Sequence, residues 1–481
     1  MVKKHTTSGI ESFSRVGLDL HLSFTGTRLR AGLTTALRDA IRSGRLEPGV
    51  RIPSTRALAE DFGLSRSTVT EAYATLIAEG WLTARHGSGT RVAERRHAPL
   101  EKPRPVSDLA ARPIQALDPG AADYAEFPRA GWITATKRAL AIAPHSAFGY
   151  GDALGSLRLR TALAEYLARV RGVRTDPSRI VIVSGFHHGL GIVARALAER
   201  GAVSVAVEQY GLHLYRDVLR EQGVHTPWLL VDECGARVEA LGSDTTAPAV
   251  LLTPAHQFPT GFALSPERRT TVLDWARRNG GVILEDDYDG EFRYERTPVG
   301  ALQGLDPEHV VYFGTTSKSV APALRLGWVV VPENLLPAVA LAKGRMDTVS
   351  ALDQLVFAEL LSSGAFDRHV RSRRQSYRRR REQLIAALAA RVSNVRVIGM
   401  AAGLQTVILL PEGMEGGVLE AARDRGLLVS GLAEFRHPDA GHDLRWSDGL
   451  VVNFSAISDS AWPEALQALC DVLEKASHSS E

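Results

Sequence analysis

The feature that most constrains the fold is a regular alternation of short apolar segments and longer helical patterns. The apolar segments lie at residues 180–183, 203–207, 249–252, 282–284 and 310–313. Strands separated by helices join a mainly parallel sheet with helices on both faces. The sequence therefore predicts an α/β fold, in which ligands bind at the carboxyl ends of the strands.

A second pattern lies upstream, before residue 93. Apolar residues at helical spacing predict a helix over 29–41, and Ser54 and Ser65 are suitable N-caps for two further helices. Two short extended segments follow, one on each side of His86-Gly87-Ser88. Three helices followed by a β-hairpin are typical of a winged helix-turn-helix, which is a DNA-binding fold.

The composition supports this division of the 481 residues. Residues 95–125 contain five prolines and little periodicity, which is typical of a linker. We therefore predict a winged helix-turn-helix domain at 22–94, a linker at 95–125 and an α/β domain at 126–478 that ends in a small α+β subdomain. The first 100 residues hold 15 Lys and Arg against 9 Asp and Glu, so a polyanionic partner is favoured there.

The sequence also bears on the compartment. Its two cysteines, Cys234 and Cys470, form no paired motif, so neither zinc nor a disulfide framework is indicated. No apolar run reaches the roughly 20 residues of a membrane span, and no apolar stretch follows the basic start. We expect a cytoplasmic protein with no membrane contact.

The start of the third helix carries the residue types that enter a major groove. Arg66 can reach a guanine edge or a phosphate, and the neighbouring hydroxyl groups can bind phosphate. Alone, Arg66 would be an ordinary surface arginine, but its place in this domain favours DNA contact. The predicted DNA-binding residues are Arg56, Ser65, Arg66, Ser67, Thr68 and, at the hairpin tip, His86 and Gly87.

Residues 29–92 resemble the winged-helix domain of the GntR-type bacterial regulators. The resemblance rests on three ordered runs, at 44–59, 64–69 and 79–82. It implies a double-stranded DNA operator as the partner, with contacts from the positions that match Arg56, Ser65, Arg66 and His86-Gly87. Thr70 departs from the pattern, because some relatives carry an arginine there.

A strongly basic helix is predicted near Arg371. Seven arginines fall between Arg371 and Arg381. A solvated face of a connecting helix is the favoured interpretation, and a second nucleic-acid contact is the alternative.

Within the α/β domain, Lys318 stands in the run Gly-Thr-Thr-Ser-Lys-Ser-Val at 314–320, and Arg325 follows seven positions later. A lysine among hydroxyl groups, with a guanidinium nearby, suits pyridoxal 5'-phosphate (PLP). The amine forms a Schiff base with the aldehyde, while the hydroxyls and the guanidinium hold the phosphate. Lys318 is therefore the candidate catalytic residue.

Three acids and a tyrosine, Glu285-Asp286-Asp287-Tyr288, follow the predicted strand at 282–284. A carboxylate at the carboxyl end of this strand can keep a pyridine nitrogen protonated, and Tyr288 can hydrogen-bond the phenolate oxygen of the ring. The chemistry of the residues does not separate Asp286 from Asp287. A solvated acidic loop is the alternative.

The segment Ser184-Gly185-Phe186 begins a helix after the strand at 180–183, and the N–H groups of a helix N-terminus suit a phosphate. His187 and His188 diverge by about 100° on a helix, so we predict no metal site. Tyr150 is either a phosphate donor or a core aromatic residue.

Residues 127–475 resemble the fold-type I aminotransferases, and the whole chain resembles the MocR subfamily, which fuses a GntR domain to such a module. The runs at 253–261 and 285–294 and the Lys318 segment carry this resemblance. It implies that Lys318 forms the Schiff base, that Asp286 pairs with the ring nitrogen and that Tyr288 contacts the phenolate. The further implied contacts are Thr315, Ser317, Arg325, Gly185 and Phe186 on the phosphate, His256 or Gln257 near the ring, Tyr150 in the site of a partner subunit, and Arg436 on an effector carboxylate.

Three functions remain open on the sequence alone. The first is a PLP-dependent transcriptional regulator, a homodimer that senses PLP, an amino compound or a vitamin B6 precursor. The second is a competent aminotransferase with a DNA-binding head, and the third is a DNA-binding protein with a vestigial fold. Leu212, or Tyr210 after a shift, stands where some relatives carry a ring-stacking aromatic, and the match near Arg436 is poor. These departures favour the regulator, with half-reactions but without sustained turnover.

Overall fold

The computed structural model describes residues 29–85, 89–94, 115–119, 123–242, 247–294, 299–441 and 445–478. The chain divides into two compact units, Met1–Ala111 and Arg112–Glu481.

The smaller unit contains three helices and a two-stranded wing. Its elements are α1 (Leu29–Arg42), α2 (Thr55–Asp61), α3 (Arg66–Ala78), β1 (Leu82–Arg85) and β2 (Gly89–Val92). The hydroxyls of Ser54 and Ser65 accept the N–H groups of Ala57 and Thr68, as expected for N-caps. The apolar faces of the three helices enclose one core. The predicted winged helix-turn-helix is confirmed.

The larger unit contains ten helices and fifteen strands among its described residues. The helices are α4 (Arg129–Ile142), α5 (Leu157–Arg171), α6 (Phe186–Glu199), α7 (His213–Glu221), α8 (Pro266–Asn279), α9 (Leu336–Lys343), α10 (Ala351–Ser362), α11 (Ala365–Arg391), α12 (Glu415–Asp424) and α13 (Trp462–His478). The strands are β3 (Gln115–Ala116), β4 (Ile180–Val183), β5 (Val205–Glu208), β6 (Trp228–Leu229), β7 (Val231–Asp232), β8 (Gly235–Ala236), β9 (Ala249–Leu252), β10 (Val282–Asp286), β11 (Val310–Thr315), β12 (Gly327–Val330), β13 (Arg396–Ile398), β14 (Gln405–Leu409), β15 (Leu427–Leu428), β16 (Ser430–Gly431) and β17 (Gly449–Asn453).

The central sheet has seven strands in the order β4-β12-β11-β10-β9-β5-β6. Neighbouring strands are parallel except at β12, which runs antiparallel to β11 and to β4. Successive side chains of β4 face opposite sides: Ile180 and Ile182 join the core under α5 and α10, and Val181 and Val183 join the core under α6. The predicted α/β fold, mainly parallel and covered on both faces, is confirmed.

The C-terminal part of the larger unit is built on a second sheet. Its four strands are antiparallel, in the order β13-β14-β17-β16, and α12 and α13 pack in the same core as this sheet. It is the α+β subdomain that the sequence predicts.

Residues 115–119 were placed in the linker by the sequence, but they pack in the larger unit. Strand β3 pairs in parallel with β15, and Leu117 is fully buried. The N–H of Leu117 donates to Leu428, and Asn453 donates its own N–H to the Leu117 carbonyl, each at 2.8 Å. The proline content predicted a linker up to residue 125, but tertiary hydrogen bonds hold residues 115–119 in the larger unit. The linker prediction is wrong for this segment.

The arginines of α11 are largely used within the larger unit. Arg380 is buried and donates to Asp459 at 2.7 Å and to the Phe454 carbonyl. Arg373 lies 3.0 Å from Glu126, and Arg378 pairs with Glu382 one turn away. These contacts account for much of the basic run without a nucleic-acid partner.

The contact between β11 and β12 leads to a stability prediction. A Cβ added at Gly314 would lie 2.3 Å from Nε1 of the buried Trp328. We expect Gly314→Ala to destabilise the protein by about 1–3 kcal/mol, because an extra methyl group overpacks a closed core. Urea unfolding followed by tryptophan fluorescence measures this loss.

The matched control is Gly416→Ala in α12, where nothing lies within 4 Å of the added Cβ. It should leave stability unchanged or raise it by up to about 1 kcal/mol through helix propensity. Equal losses in the two variants would contradict the packing account.

Candidate functional site

Lys318 lies in the loop that follows β11, at the carboxyl end of the central sheet. Its Nζ donates to the main-chain oxygen of Pro119 at 3.0 Å. Burial lowers the pKa of the Lys318 amine, while Asp118, Asp289 and Asp286 act against that shift. The loop thus holds a lysine whose neutral form, the nucleophile, is favoured by desolvation.

The structure separates the adjacent acids that the sequence could not. Asp287 is buried, and its two oxygens accept from Arg171 Nε at 2.6 Å and Nη2 at 2.9 Å; Tyr312 donates to the same carboxylate at 2.7 Å. Glu285 accepts the N–H groups of Leu302 and Gln303. Both side chains are therefore engaged in holding the fold.

Asp286 differs from these neighbours. It is buried, and its Oδ1 has no hydrogen-bond partner among the described residues. Burial, reinforced by Asp287 and Asp289, raises the pKa of Asp286 well above its usual value. A buried carboxyl with an open acceptor position suits a cationic N–H group that the protein itself does not supply. The alternative of a solvated acidic loop is wrong, because all three acids are buried.

A second group of predicted residues lies near the N-terminus of α6. Gly185 precedes α6 with φ 95°, and a Cβ there would lie 3.7 Å from the guanidinium of Arg325. The Oγ atoms of Thr315 and Ser317 lie 2.8 Å apart. The first N–H groups of a helix, a guanidinium and two hydroxyls are the donors that a phosphate dianion requires.

Tyr288 lies in a buried polar network with His256. The Nδ1 atom of His256 lies 3.0 Å from the Tyr288 hydroxyl and 2.7 Å from Oδ2 of Asp289. Gln405, which the sequence did not single out, donates to the Tyr288 hydroxyl at 2.6 Å. Gln257 is used otherwise: its side chain donates to the Tyr210 carbonyl and accepts from Thr260. Of the two residues proposed near the ring, His256 therefore has the better access to Tyr288.

A small cavity lies beside Asp286. Glu208, Leu212 and Tyr215 line it, and burial raises the pKa of Glu208 to about 7. Tyr210 also borders this cavity, but its hydroxyl donates to the Trp446 carbonyl at 2.6 Å. Tyr215 was missed, because it stands three residues beyond the position where an aromatic was sought; its ring lies 4.4 Å from that of Phe186.

Two predicted residues, Tyr150 and Arg436, are not brought into contact with Lys318 by any hydrogen bond or ion pair among the described residues. Tyr150 is 96% exposed in this chain. Arg436 is half-buried and pairs through its main chain with Tyr210, at the exit of β5. Among the described residues its guanidinium makes no ion pair. Their assigned roles, in a partner subunit and on an effector, stay predictions.

In the smaller unit, the predicted DNA-binding residues share an exposed surface at the start of α3. Arg66 and Ser67 are exposed in its first turn, and Thr68 is half-buried. The Ser65 hydroxyl is used for capping, which leaves it less free to bind phosphate. Arg56 on α2 is exposed and pairs only loosely with Glu60, at 3.3 Å.

The described part of the wing lies beside a residue that the sequence did not single out. His86 and Gly87 lie outside the described residues. The exposed Arg51 lies against the wing, because its Nε would be 2.8 Å from a Cβ added at Gly89. Arg51 is a further cation on the hairpin side of this unit.

The residues of the larger unit fit PLP. The open acceptor on Asp286 matches a protonated ring nitrogen, and the surface around Gly185 and Arg325 matches the phosphate. No group of three or more metal-ligating side chains occurs among the described residues. No helix among the described residues of the chain is both long and apolar enough to cross a membrane.

Sequence models of two families match the chain. The bacterial regulatory proteins of the gntR family match residues 29–92, and aminotransferase class I and II matches residues 117–469. The fold and the site thus define a DNA-binding domain joined to an aminotransferase-like domain, and they support PLP as its cofactor.

Curated relatives share both domains. The HTH-type pyridoxine biosynthesis transcriptional regulator PdxR of Corynebacterium glutamicum is 31% identical over 413 residues, which cover 85% of this chain and 89% of that protein. The probable rhizopine catabolism regulatory protein MocR of Rhizobium meliloti is 32% identical over 461 residues, covering 90% and 91%. The chain belongs to the MocR subfamily of GntR-type regulators, and the regulator function is supported over that of a catalytically competent aminotransferase that carries a DNA-binding head.

Solved structures agree on the fold of the larger unit. The kynurenine aminotransferase of Pyrococcus horikoshii superposes with a TM-score of 0.67 at 23% identity, covering 76% of this chain and 92% of that one. The α-aminoadipate aminotransferase LysN of Thermus thermophilus gives 0.66 at 23% identity, covering 76% and 94%. At this identity the similarity concerns the fold.

The contrast between Asp286 and Asp287 is testable. We expect Asp287→Asn to destabilise the protein by about 3–5 kcal/mol, because it leaves the buried Arg171 without its anionic partner. Asp286→Asn should leave stability unchanged or raise it, because it removes a buried acid with an open acceptor. Urea unfolding without PLP measures both effects.

A PLP titration supplies the second measurement for this pair. Asp286→Asn should weaken PLP binding although the protein stays folded. Equal destabilisation by the two substitutions, or unchanged PLP affinity in Asp286→Asn, would contradict these assignments.

Proposed function

We propose that this regulator senses PLP, or an amino compound that reacts with bound PLP, at Lys318, and that occupancy of the site changes its affinity for operator DNA. The open carboxyl of Asp286 carries the proposal, because a buried acceptor of this kind needs a cationic N–H partner. A regulatory role also implies a place in the cytoplasm, where the DNA lies.

Each site residue has a task that follows from its chemistry. Bound PLP supplies an aldehyde carbon that reacts reversibly with amines, and an electron-withdrawing ring. Lys318 would provide the amine and Asp286 would hold the ring nitrogen, while Tyr288 and His256 would face the phenolate side. The phosphate would be held by Thr315, Ser317, Arg325 and the N–H groups of Gly185 and Phe186.

The lowered pKa of Lys318 supports this use of the amine. Burial favours the uncharged form, which alone has the lone pair needed for attack on a carbonyl carbon. Borohydride reduction in the presence of PLP, followed by peptide mass spectrometry, should therefore locate the cofactor on Lys318. Label on other lysines with none on Lys318 would refute this assignment.

Arg436 is the proposed effector residue. It is a half-buried cation near the cavity beside Asp286, and it has no ion pair in the described part of the chain. An amino compound that carries a carboxylate would place its amine at the PLP aldehyde and its anion at Arg436. The effector can shift the equilibrium between two conformations of the regulator only by the difference in its affinity for them.

The regulator is proposed to act as a homodimer. Large apolar side chains are exposed on α4 and in the turn that follows it: Ile133, Leu140, Ile142, Phe148 and Tyr150. A group of exposed apolar residues on one region of a protein is typical of an interaction surface. A second copy would cover it and bring Tyr150 towards the other site, and two heads would match paired half-sites.

The DNA-binding surface can be tested on the upstream region of the chain's own gene. We expect Arg66→Ala to weaken specific binding by about 1–3 kcal/mol, roughly 5- to 150-fold, because it removes a cation at the groove. Mobility-shift titration with and without PLP measures the loss.

The control for this test is Arg378→Ala, which removes an exposed arginine of α11 that pairs with Glu382. It should bind DNA as the parent does. Equal loss in the two variants would favour the basic helix as a nucleic-acid contact, and no sequence-dependent binding in either PLP state would sink the regulator proposal.

The dimer surface can be tested by sedimentation velocity. Ile142→Glu places a charge where an apolar side chain is 59% exposed, and it should raise the monomer fraction at a fixed protein concentration. Leu305→Glu, at a leucine that is 57% exposed elsewhere, should not. A parent protein that sediments as a monomer would contradict the proposal.

Aminotransferase turnover is the second candidate function, because lysine, acid, tyrosine and phosphate donors are all retained. A transaminase must cycle its cofactor between aldehyde and amine forms with two substrates. An amino acid with an oxoacid acceptor should give single half-reactions in the regulator. Sustained multiple turnovers would favour the enzyme instead.

A further inference from the structure

The amine of Lys318 is held by a segment that directly follows the division between the two units. Its Nζ donates to the Pro119 main-chain oxygen at 3.0 Å, across 199 positions of sequence. Asp118, on the same segment, comes before Asp289 and Asp286 among the charges that favour the protonated amine. The reactive nitrogen and the start of the larger unit are thus in direct contact.

Hydrogen bonds hold the segment within the larger unit. Beyond the pairing of β3 with β15, the Asn453 side chain donates to the Asp118 carbonyl at 3.0 Å and Ser430 donates to its carboxylate at 3.2 Å. The larger unit begins at Arg112, so the chain passes from the DNA-binding unit into this segment. Residues 117–119 thus lie close in sequence to the boundary between the two units.

We propose that residues 118 and 119 couple the cofactor site to the DNA-binding unit, because the Pro119 oxygen and the cofactor aldehyde compete for the Lys318 amine. This inference rests on the proposed function. Asp118 is then a positioning residue that favours the hydrogen-bonded, charged amine over the neutral one.

The chemistry of condensation requires this competition. The neutral amine attacks the aldehyde carbon, a C–N double bond replaces the C–O double bond, and the oxygen leaves as water with the two amine protons. The nitrogen then carries no proton. If it is protonated again, it carries a single N–H, whose direction is fixed by the plane of the new double bond. Pro119 is buried, so the loss of this donor at its carbonyl oxygen would cost free energy unless the segment moved.

An amino effector would reverse the effect. An effector amine that takes the aldehyde carbon releases Lys318 as a free amine, which again has protons to donate to Pro119. PLP alone and PLP with an effector would then place the segment in different states, a two-state element that both ligands bias. The expected size is the usual range of such coupling, about 5- to 150-fold in DNA affinity.

The charged and titratable groups around the amine must be considered together. Besides Asp118, the groups that face or line the space around it are Asp286, Asp289, Asp123, Glu126, His369, Arg373 and Tyr377. Among them, Asp118 alone lies on the connecting segment. Its substitution therefore tests the segment without changing the groups assigned to the cofactor.

The first experiment compares full-length Asp118→Asn with Asp424→Asn, a control at an exposed acid of α12. Loss of the Asp118 charge lowers the pKa of Lys318 further, so the pH midpoint for borohydride trapping of PLP should move to lower pH. The ratio of DNA affinities with and without PLP should also fall towards one. An unchanged midpoint and an unchanged ratio would overturn the proposal.

The second experiment is hydrogen–deuterium exchange of the peptide that contains residues 115–119. In the parent protein, PLP should increase its exchange, and Lys318→Ala should show that increase without PLP. If PLP is trapped on Lys318 and shifts DNA affinity while this exchange stays constant, the coupling element is wrong and the proposed function stands. If PLP is not trapped, the proposed function fails first.

Discussion

The buried pairing of Arg171 with Asp287 is the interaction on which the site depends. Three acids lie side by side at the carboxyl end of β10, all withdrawn from water. Such an arrangement is tolerable only where cations and N–H groups compensate it. Arg171 and Tyr312 bind Asp287, main-chain N–H groups bind Glu285, and Asp286 is left with an open acceptor. The fold thus uses two of these acids in internal contacts and leaves Asp286, the acid we propose for the cofactor, with an open acceptor.

Lys318 also has an internal partner. A buried lysine needs a partner, and the protein supplies a main-chain oxygen rather than a carboxylate in direct contact. An acceptor of this kind holds the amine weakly enough for it to be given up to a carbonyl carbon. In a free enzyme such a contact would only position the nucleophile. In this chain the DNA-binding unit lies N-terminal to that segment in sequence, and we propose the contact as a link between cofactor chemistry and DNA affinity.

Much of the fold and part of the site follow from local patterns in the sequence. Apolar runs located five of the seven strands of the central sheet, all except β6 and β12. Ser54 and Ser65 marked two helix starts, and both kinds of signal are local. Lys318, Asp286 and Gly185 could be brought together because the carboxyl ends of parallel strands meet at one edge of a sheet. The choice between Asp286 and Asp287 depended on Arg171, 116 positions away, and so required the structure. The contact between Pro119 and Lys318 could not be predicted for the same reason, because the two residues are far apart in sequence. Pro119 also stands in a proline-bearing segment whose composition is typical of a linker.

The central claim is that the cofactor at Lys318 controls DNA binding. Its most direct test is the ratio of operator dissociation constants without and with PLP, measured for the parent protein and for Lys318→Ala under the same salt conditions. The account predicts a ratio different from one in the parent, within about 5- to 150-fold, and a ratio of one in Lys318→Ala. The same PLP-dependent ratio in both proteins would contradict it.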